Sequence, residues 1–293
     1  MNEKLLSSTE RGMRHNLAKP HEISAFLREQ NMGVGMQEQI NRALVIANHV
    51  FAARFQGASC AFVAGSIMRG EGTPSSDIDL VVVFDHLDAA WRESFIESGL
   101  PVEAFVHDPQ TLAWFIENDA KNGYPIMVDM IASGVAIGPD IDRAEALKTF
   151  AANLLAKGPP PFEGEKRDGI RYLITSLLED LRDAHAPAER RAIAAELYQP
   201  LADFALLGRC AWSGKGKWIP RLLNKLDSEL AQRFDHAFEH AAQGDTVPLQ
   251  LLAENELARH GGLYFAGDKR MAPADARSST FRIETFGDAI LPG

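Results

Sequence analysis

The sequence predicts a protein of the α/β (α+β) class, with a small mixed-sheet domain followed by a C-terminal helical bundle. Short apolar runs of strand type alternate with helical patterns up to about residue 137. After about residue 141, the apolar residues repeat at helical spacing instead. Because 293 residues exceed the comfortable size of one hydrophobic core, we expect two domains, 1–140 and 141–293.

The first domain should contain four strands and several helices. Residues 36–55 place apolar side chains at helical spacing, whereas residues 102–106 alternate as a half-buried strand does. The predicted order is helix 36–55, strand 60–64, strand 78–84, helix 88–98, strand 102–106, helix 109–120, helix 124–133 and strand 135–137. This order predicts a mixed sheet with helices on one side, preceded by a short helical lead-in over residues 1–33.

The second domain is predicted to be helical throughout. Apolar residues recur at helical spacing from Ile170 to Leu181, and a second stripe runs from Leu222 to Phe238. Core packing explains both stripes, and together they predict a bundle of four to five helices. Residues 266–293 lack periodicity, which predicts an extended tail.

Composition and charge limit the partners of this chain. Thirty Lys and Arg residues against forty Asp and Glu give a net charge of −10. This charge argues against a nucleic-acid partner, which requires clustered cations, and favours a cationic small-molecule partner. No apolar run reaches the length of a membrane span, and the polar N-terminus does not resemble a signal peptide. Two distant cysteines favour free thiols in a reducing cytosol, so we expect a cytoplasmic protein.

The most informative stretch is residues 64–80. A predicted strand ends at the turn Gly65-Ser66, a polar loop follows, and a second strand carries Asp77 and Asp79. Residues i and i+2 of a strand lie on the same face, so these two carboxylates project together. A cation between them relieves their repulsion, and oxygen ligands favour Mg²⁺ or Mn²⁺.

A phosphate site is predicted beside this metal site. Gly65 lets the backbone turn sharply, and Ser66 offers a hydroxyl and adjoining backbone amides to a phosphate. Glu103 emerges on one face of the strand over 102–106 and would join the aspartates if the two strands are neighbours. A phosphate cradle next to a carboxylate metal clamp is typical of phosphoryl or nucleotidyl transfer.

These residues resemble the motif of the nucleotidyltransferase superfamily typified by DNA polymerase beta. More narrowly, the chain is similar to the two-domain bacterial enzymes that transfer AMP to aminoglycoside antibiotics. The resemblance rests on Gly65-Ser66, a ten-residue spacer over 67–76, Asp77-Ile78-Asp79, and Glu103 as the third acidic residue.

The resemblance implies a Mg²⁺-dependent enzyme that moves NMP, foremost AMP from ATP, onto a hydroxyl and releases pyrophosphate. It implies that Asp77 and Asp79 hold the metal, and that Glu103 is a metal ligand, a general base or both. It also implies that a lysine of the helical domain contacts the nucleotide phosphates. Lys215 and Lys217, in a glycine-containing loop, are the candidates, and a solvated loop is the alternative.

Three further side chains lie close to the motif in sequence. Arg69 either neutralises triphosphate charge or faces solvent from the loop. Ser76, adjacent to Asp77, is placed to donate a hydrogen bond to a phosphate. His107 follows the strand that carries Glu103 and is predicted to be a surface histidine.

The sequence alone does not identify the molecule that accepts the nucleotide. A small cationic molecule such as an aminoglycoside is the first hypothesis, because the chain is long enough for two domains and is acidic. Adenylylation of a protein or a tRNA is the second. A non-catalytic nucleotide sensor is the third, and the intact set of three carboxylates argues against it.

Overall fold

The computed structural model describes the backbone of residues 20–278 and the side chains of residues 35–278. Residues 1–19 and 279–293, which contain most of the predicted lead-in and half of the predicted tail, lie outside this range. The first part of the chain contains α1 (Pro20–Arg54), β1 (Cys60–Ala64), β2 (Ile78–Val83), β3 (Trp91–Glu97), β4 (Leu100–His107), α2 (Pro109–Asn122), α3 (Ile126–Ser133), β5 (Val135–Ile137) and α4 (Ile141–Lys157). From Pro20 onward, the lead-in and the predicted helix over 36–55 therefore form one helix.

The five strands form one mixed sheet in the order β3-β4-β2-β1-β5. The β2 and β4 strands pair in parallel, and the other three neighbouring pairs are antiparallel. This architecture confirms the predicted fold class.

Helices cover both faces of the sheet, so the expectation of helices on one side was wrong. The apolar face of α1 packs with Ile78, Leu80 and Val82 on one face. Residues of α2, α3 and α4 pack with Val81 and Val83 on the other. Every residue of β1 is buried because a strand covered on both faces requires a continuous apolar run.

The segment predicted as a helix over 88–98 is instead the edge strand β3. It forms a hairpin with β4, closed by the two-residue turn Ser98-Gly99 between the paired residues Glu97 and Leu100. Both turn residues have positive φ, 49° and 80°, as a type I′ hairpin turn requires. The cross-strand partner decides the conformation here, whereas the local pattern alone favours a helix.

The second part of the chain contains five α-helices within the described residues, in agreement with the predicted bundle. They are α5 (Gly164–Asp183), α6 (Pro187–Leu207), α7 (Trp218–Leu226), α8 (Ser228–Ala242) and α9 (Val247–Ala258), followed by a 3₁₀ turn (Ala274–Ser278). The predicted stripe from Leu222 to Phe238 is divided between α7 and α8, because Asp227 caps the start of α8 through the backbone amides of Glu229 and Leu230.

The division into two compact units falls between Pro160 and Pro161. The predicted boundary after residue 140 lies before α4, which packs on α3 and β5 in the first unit. Among residues 20–278, no helix combines the length and the hydropathy that a membrane span requires.

His107 is the last residue of β4 and is buried, with 3% of its surface exposed, so the prediction of a surface histidine was wrong. Its ring packs edge-on against Phe115 of α2, with the ring centroids 4.9 Å apart. Its Nδ1 atom is buried without a hydrogen-bond partner. The helix α2, capped by Asp108 and Thr111, covers the end of the strand.

We expect His107 to make stability depend on pH. Burial lowers the pKa of the imidazole, and the Asp108 carboxylate only partly opposes this effect. The unfolded chain, with an ordinary histidine pKa of about 6.5, then binds more protons than the folded chain. The contribution of His107 to the free energy of unfolding is therefore fully present above pH ~6.5. It is lost progressively as the pH falls below that value.

Urea unfolding at pH 7 and at pH 5.5 tests this expectation. The loss of stability between the two pH values should be smaller for His107→Leu than for the wild type. His49→Gln, a change at an exposed histidine of α1, is the matched control and should leave the loss unchanged. An equal loss in wild type and His107→Leu would exclude His107 as its source.

Candidate functional site

Three carboxylates converge at one end of the sheet. Asp79 of β2 is the direct parallel partner of Glu103 of β4, and Asp77 immediately precedes β2. One oxygen from each of these side chains lies within 4.8 Å of the other two. We call Asp77, Asp79 and Glu103 the carboxylate trio. The structure thus brings together the three residues that the sequence singles out, and their catalytic role stays a prediction.

The carboxylate trio has the composition of a site for a hard divalent cation. All three side chains are partly buried, so water screens their mutual repulsion less than it would on an open surface. Carboxylate oxygens are the ligands that Mg²⁺ and Mn²⁺ prefer. The donor set therefore fits the metal that the sequence predicts.

Gly65, at the end of β1, contacts the carboxylate trio directly. Its φ is +96°, in a region that side chains rarely adopt. A Cβ atom at this position would lie 2.6 Å from Oδ2 of Asp79 and 3.5 Å from the backbone oxygen of Asp77. The backbone at Gly65 therefore passes close to the Asp79 carboxylate, and a side chain there would collide with it.

The loop between β1 and β2 is closed by the two serines predicted to bind phosphate. The hydroxyl of Ser66 donates to Oγ of Ser76 over 2.8 Å, and both residues are buried. Oγ of Ser76 also accepts a hydrogen bond of 2.9 Å from the backbone amide of Thr73. These bonds hold the glycine-rich loop in a compact turn beside the carboxylate trio. Phosphate binding by the two serines stays a prediction.

Arg69 lies in the same loop and is held by acidic neighbours. Its side chain is 24% exposed, and Nη1 lies 3.6 Å from Oδ2 of Asp129 on α3. A second carboxylate, that of Glu71, lies 4.0 Å from Nε. The side chain of Arg69 is thus partly buried beside two carboxylates, and its contact with a phosphate stays a prediction.

Lys215 and Lys217 belong to the second unit, in the connection between α6 and α7. The base of this connection is anchored on α6. The buried Asp203 accepts a hydrogen bond of 2.5 Å from Ser213 Oγ, and Gln199 donates one of 2.9 Å to the backbone oxygen of Gly214. The contact of either lysine with a nucleotide stays a prediction.

Two polar residues of β3 contact Glu103, and sequence reasoning did not identify them. Arg92 Nη1 lies 3.1 Å from Glu103 Oε1, and the hydroxyl of Ser94 lies 3.5 Å from the same oxygen. The local pattern over 88–98 predicts a helix, which would not place Arg92 and Ser94 on a strand beside Glu103. The turn Ser98-Gly99, which reads as a two-residue hairpin connection, was the available signal.

A cavity of about 290 Å³ adjoins the carboxylate trio. Its lining combines the polar Asp77, Ser94 and Glu103 with apolar side chains, namely Phe95, Ile96, Pro101 and Val102. Larger cavities, of about 700 Å³ in the second unit and about 460 Å³ between α2 and α4, contain no member of the trio. The position of the carboxylates, rather than cavity size, identifies the candidate site.

Comparison with known proteins identifies the domain that carries this site. Residues 51–131 match the family described as nucleotidyltransferase domain, and this range contains the whole carboxylate trio and the Gly65-Ser66 turn. The chain therefore carries a nucleotidyltransferase domain, and it is a nucleotidyltransferase enzyme.

Two other comparisons add nothing to that assignment. No curated protein matches the chain. Among solved structures, the chain is similar to a nucleotidyltransferase-like protein from Exiguobacterium sibiricum 255-15, with 13% sequence identity and a TM-score of 0.38. The similarity covers 74% of this chain and 76% of the other.

Proposed function

We propose that this enzyme transfers AMP from ATP to a hydroxyl of a small cationic acceptor, such as an aminoglycoside, and releases pyrophosphate. The observation that carries the proposal is the convergence of three carboxylate oxygens within 4.8 Å beside the Gly65-Ser66 turn. Nucleotidyl transfer uses a divalent cation beside the triphosphate, and a glycine-containing turn next to three carboxylates supports such an arrangement at this corner of the sheet.

Each member of the carboxylate trio has a proposed task. Asp77 and Asp79 would hold Mg²⁺ or Mn²⁺, which supplies charge neutralisation for the triphosphate and lowers the pKa of a bound hydroxyl. Glu103 completes the ligand set and accepts the proton of the acceptor hydroxyl as that oxygen attacks the α-phosphorus. Its position on the neighbouring strand, in register with Asp79, supports this division of tasks.

The residues around the β1–β2 loop are proposed to bind the triphosphate tail. Gly65 and Ser66 lie at the turn, Ser76 closes it, and Arg69 adds a guanidinium near its base. Arg forms bidentate pairs with phosphate oxygens, and backbone amides at a tight turn donate to them. The net charge of −10 supports a cationic rather than an anionic acceptor.

A transfer assay tests the function and separates the acceptors. The full-length protein is incubated with each of four labelled nucleoside triphosphates and Mg²⁺, against a panel of aminoglycosides and against cell lysate. We expect label from ATP on an aminoglycoside, with stoichiometric pyrophosphate release. Label on a protein or on RNA would contradict the proposed small-molecule acceptor but would support nucleotidyl transfer as the reaction. Absence of transfer from all four nucleotides would contradict the proposal.

We also expect Lys215→Ala and Lys217→Ala to weaken the binding of ATP. A charged hydrogen bond to phosphate is worth about 1.5–3 kcal/mol, so the loss of one raises the KM for ATP about tenfold or more. Steady-state kinetics measure this effect. Lys225→Ala, in the last turn of α7, is the matched control. KM values equal to that of the control would exclude both lysines from the nucleotide site.

A further inference from the structure

Arg92 brings a positive charge to the carboxylate trio from the edge strand of the sheet. Arg92 and Ser94 occupy alternate positions of β3, on the face that also carries Glu103 of the paired strand. The guanidinium lies 3.1 Å from Glu103 Oε1, and Ser94 contacts the same oxygen over 3.5 Å. One oxygen of the proposed metal ligand is therefore already engaged by β3.

The two partners of this ion pair differ in their environment. The Glu103 side chain is 25% exposed, whereas that of Arg92 is 65% exposed. Glu103 lies on β4, which pairs with β2 on one side and with β3 on the other, whereas most of the Arg92 side chain is exposed to solvent. Exposed ion pairs of this kind are weak, so a cation that binds Glu103 more strongly can displace the guanidinium.

A divalent cation and the guanidinium would compete for Glu103. Both are attracted by the same negative charge, and two cations that share one carboxylate repel each other. Without a metal, Arg92 reduces the repulsion within the carboxylate trio. With a metal, Glu103 gains a stronger partner and the arginine loses its role there.

From this geometry we infer that Arg92 is an internal counter-ion of the metal site, which the metal displaces from Glu103. The inference rests on the proposed function, because it assigns the carboxylate trio to a metal ion. Arg92 then sets the metal affinity below the value that the three carboxylates would otherwise reach. It acts through Glu103 and is a positioning residue, not a catalytic one.

The test is a titration of the full-length protein with Mn²⁺, in which electron paramagnetic resonance measures the free ion. We expect Arg92→Gln to bind Mn²⁺ about two- to fivefold more tightly than the wild type, the range that corresponds to an exposed ion pair. Arg92→Lys, which keeps the charge, should restore an affinity close to that of the wild type. A merely structural role predicts the opposite, because a disturbed site binds metal more weakly.

Arg54→Gln is the matched control. Arg54 pairs with Glu93 of the same strand, over 2.8 Å, and its loss removes an equal charge from the domain. An affinity of Arg92→Gln equal to or weaker than that of Arg54→Gln would overturn the inference and leave the metal site in place. If the wild type binds no Mn²⁺, or if Asp79→Asn binds it equally well, the carboxylate trio is not a metal site. The role inferred for Arg92 is then excluded as well.

Discussion

Replacement of Asp79 by Asn should reduce nucleotidyl transfer by about 10³-fold, which corresponds to about 4 kcal/mol of activation free energy. Asp79 is the central member of the carboxylate trio, because it pairs with Glu103 across the sheet and lies two residues from Asp77. Asparagine keeps the shape of the side chain and removes the charge that would hold the cation. Single-turnover transfer with saturating ATP and Mg²⁺ measures the effect.

The fold of this variant should be preserved. Asp79 is only partly buried, and the strand around it is anchored by Ile78 and Leu80, which are fully buried. Circular dichroism and thermal unfolding should therefore resemble those of the wild type. Asp88→Asn, at an exposed position beyond the opposite end of β2, is the matched control and should keep full activity. Turnover of Asp79→Asn within a few-fold of the control would refute the role of the carboxylate trio.

Gly65→Ala should impair both stability and activity. The left-handed backbone at φ +96° costs a non-glycine residue about 1–3 kcal/mol. In addition, the new Cβ would lie 2.6 Å from Asp79 Oδ2, so one of the two must move. A displacement of about 1 Å at a catalytic group costs about 10²-fold in rate, and we expect a loss of at least this size.

Gly57 provides a control that separates strain from contact. Its φ is +86°, but nothing lies within 4 Å of a Cβ atom built there. Gly57→Ala should therefore lower the free energy of unfolding by a comparable backbone term and leave transfer intact. Urea unfolding and transfer rates of both variants provide the comparison. Equal activity of the two alanine variants would show that the contact between Gly65 and Asp79 has no functional weight.

Local patterns in the sequence accounted for much of the candidate site. The two-residue period of a strand placed Asp77 and Asp79 together and buried Ile78 between them, and both features hold in the structure. The same alternation set Glu103 on the opposite face of its strand from Val102 and Ala104, which are buried. These features depend only on neighbours in the chain, and a strand fixes them wherever it lies.

Contacts between residues far apart in the chain could not be predicted from the sequence in the same way. Residues 91–97 became an edge strand because β4 offers a hydrogen-bonding partner across a two-residue turn, and this pairing brings Arg92 and Ser94 to Glu103. His107 became buried because α2 folds back over the end of β4. Neither the pairing of residues 91–97 nor the burial of His107 is indicated by the hydrophobic periodicity of its own segment.

The sequence by itself determined the mixed sheet followed by helices, the Gly65-Ser66 turn, and a shared strand face for Asp77 and Asp79. That Glu103 joins them was decided by the pairing of β2 with β4. Only the tertiary structure decided which helices cover each face, where the first unit ends, and which basic side chain meets Glu103. The physical reason is the range of the interactions. Strand parity and turn chemistry act over a few residues, whereas helix docking and strand pairing join residues far apart in the chain.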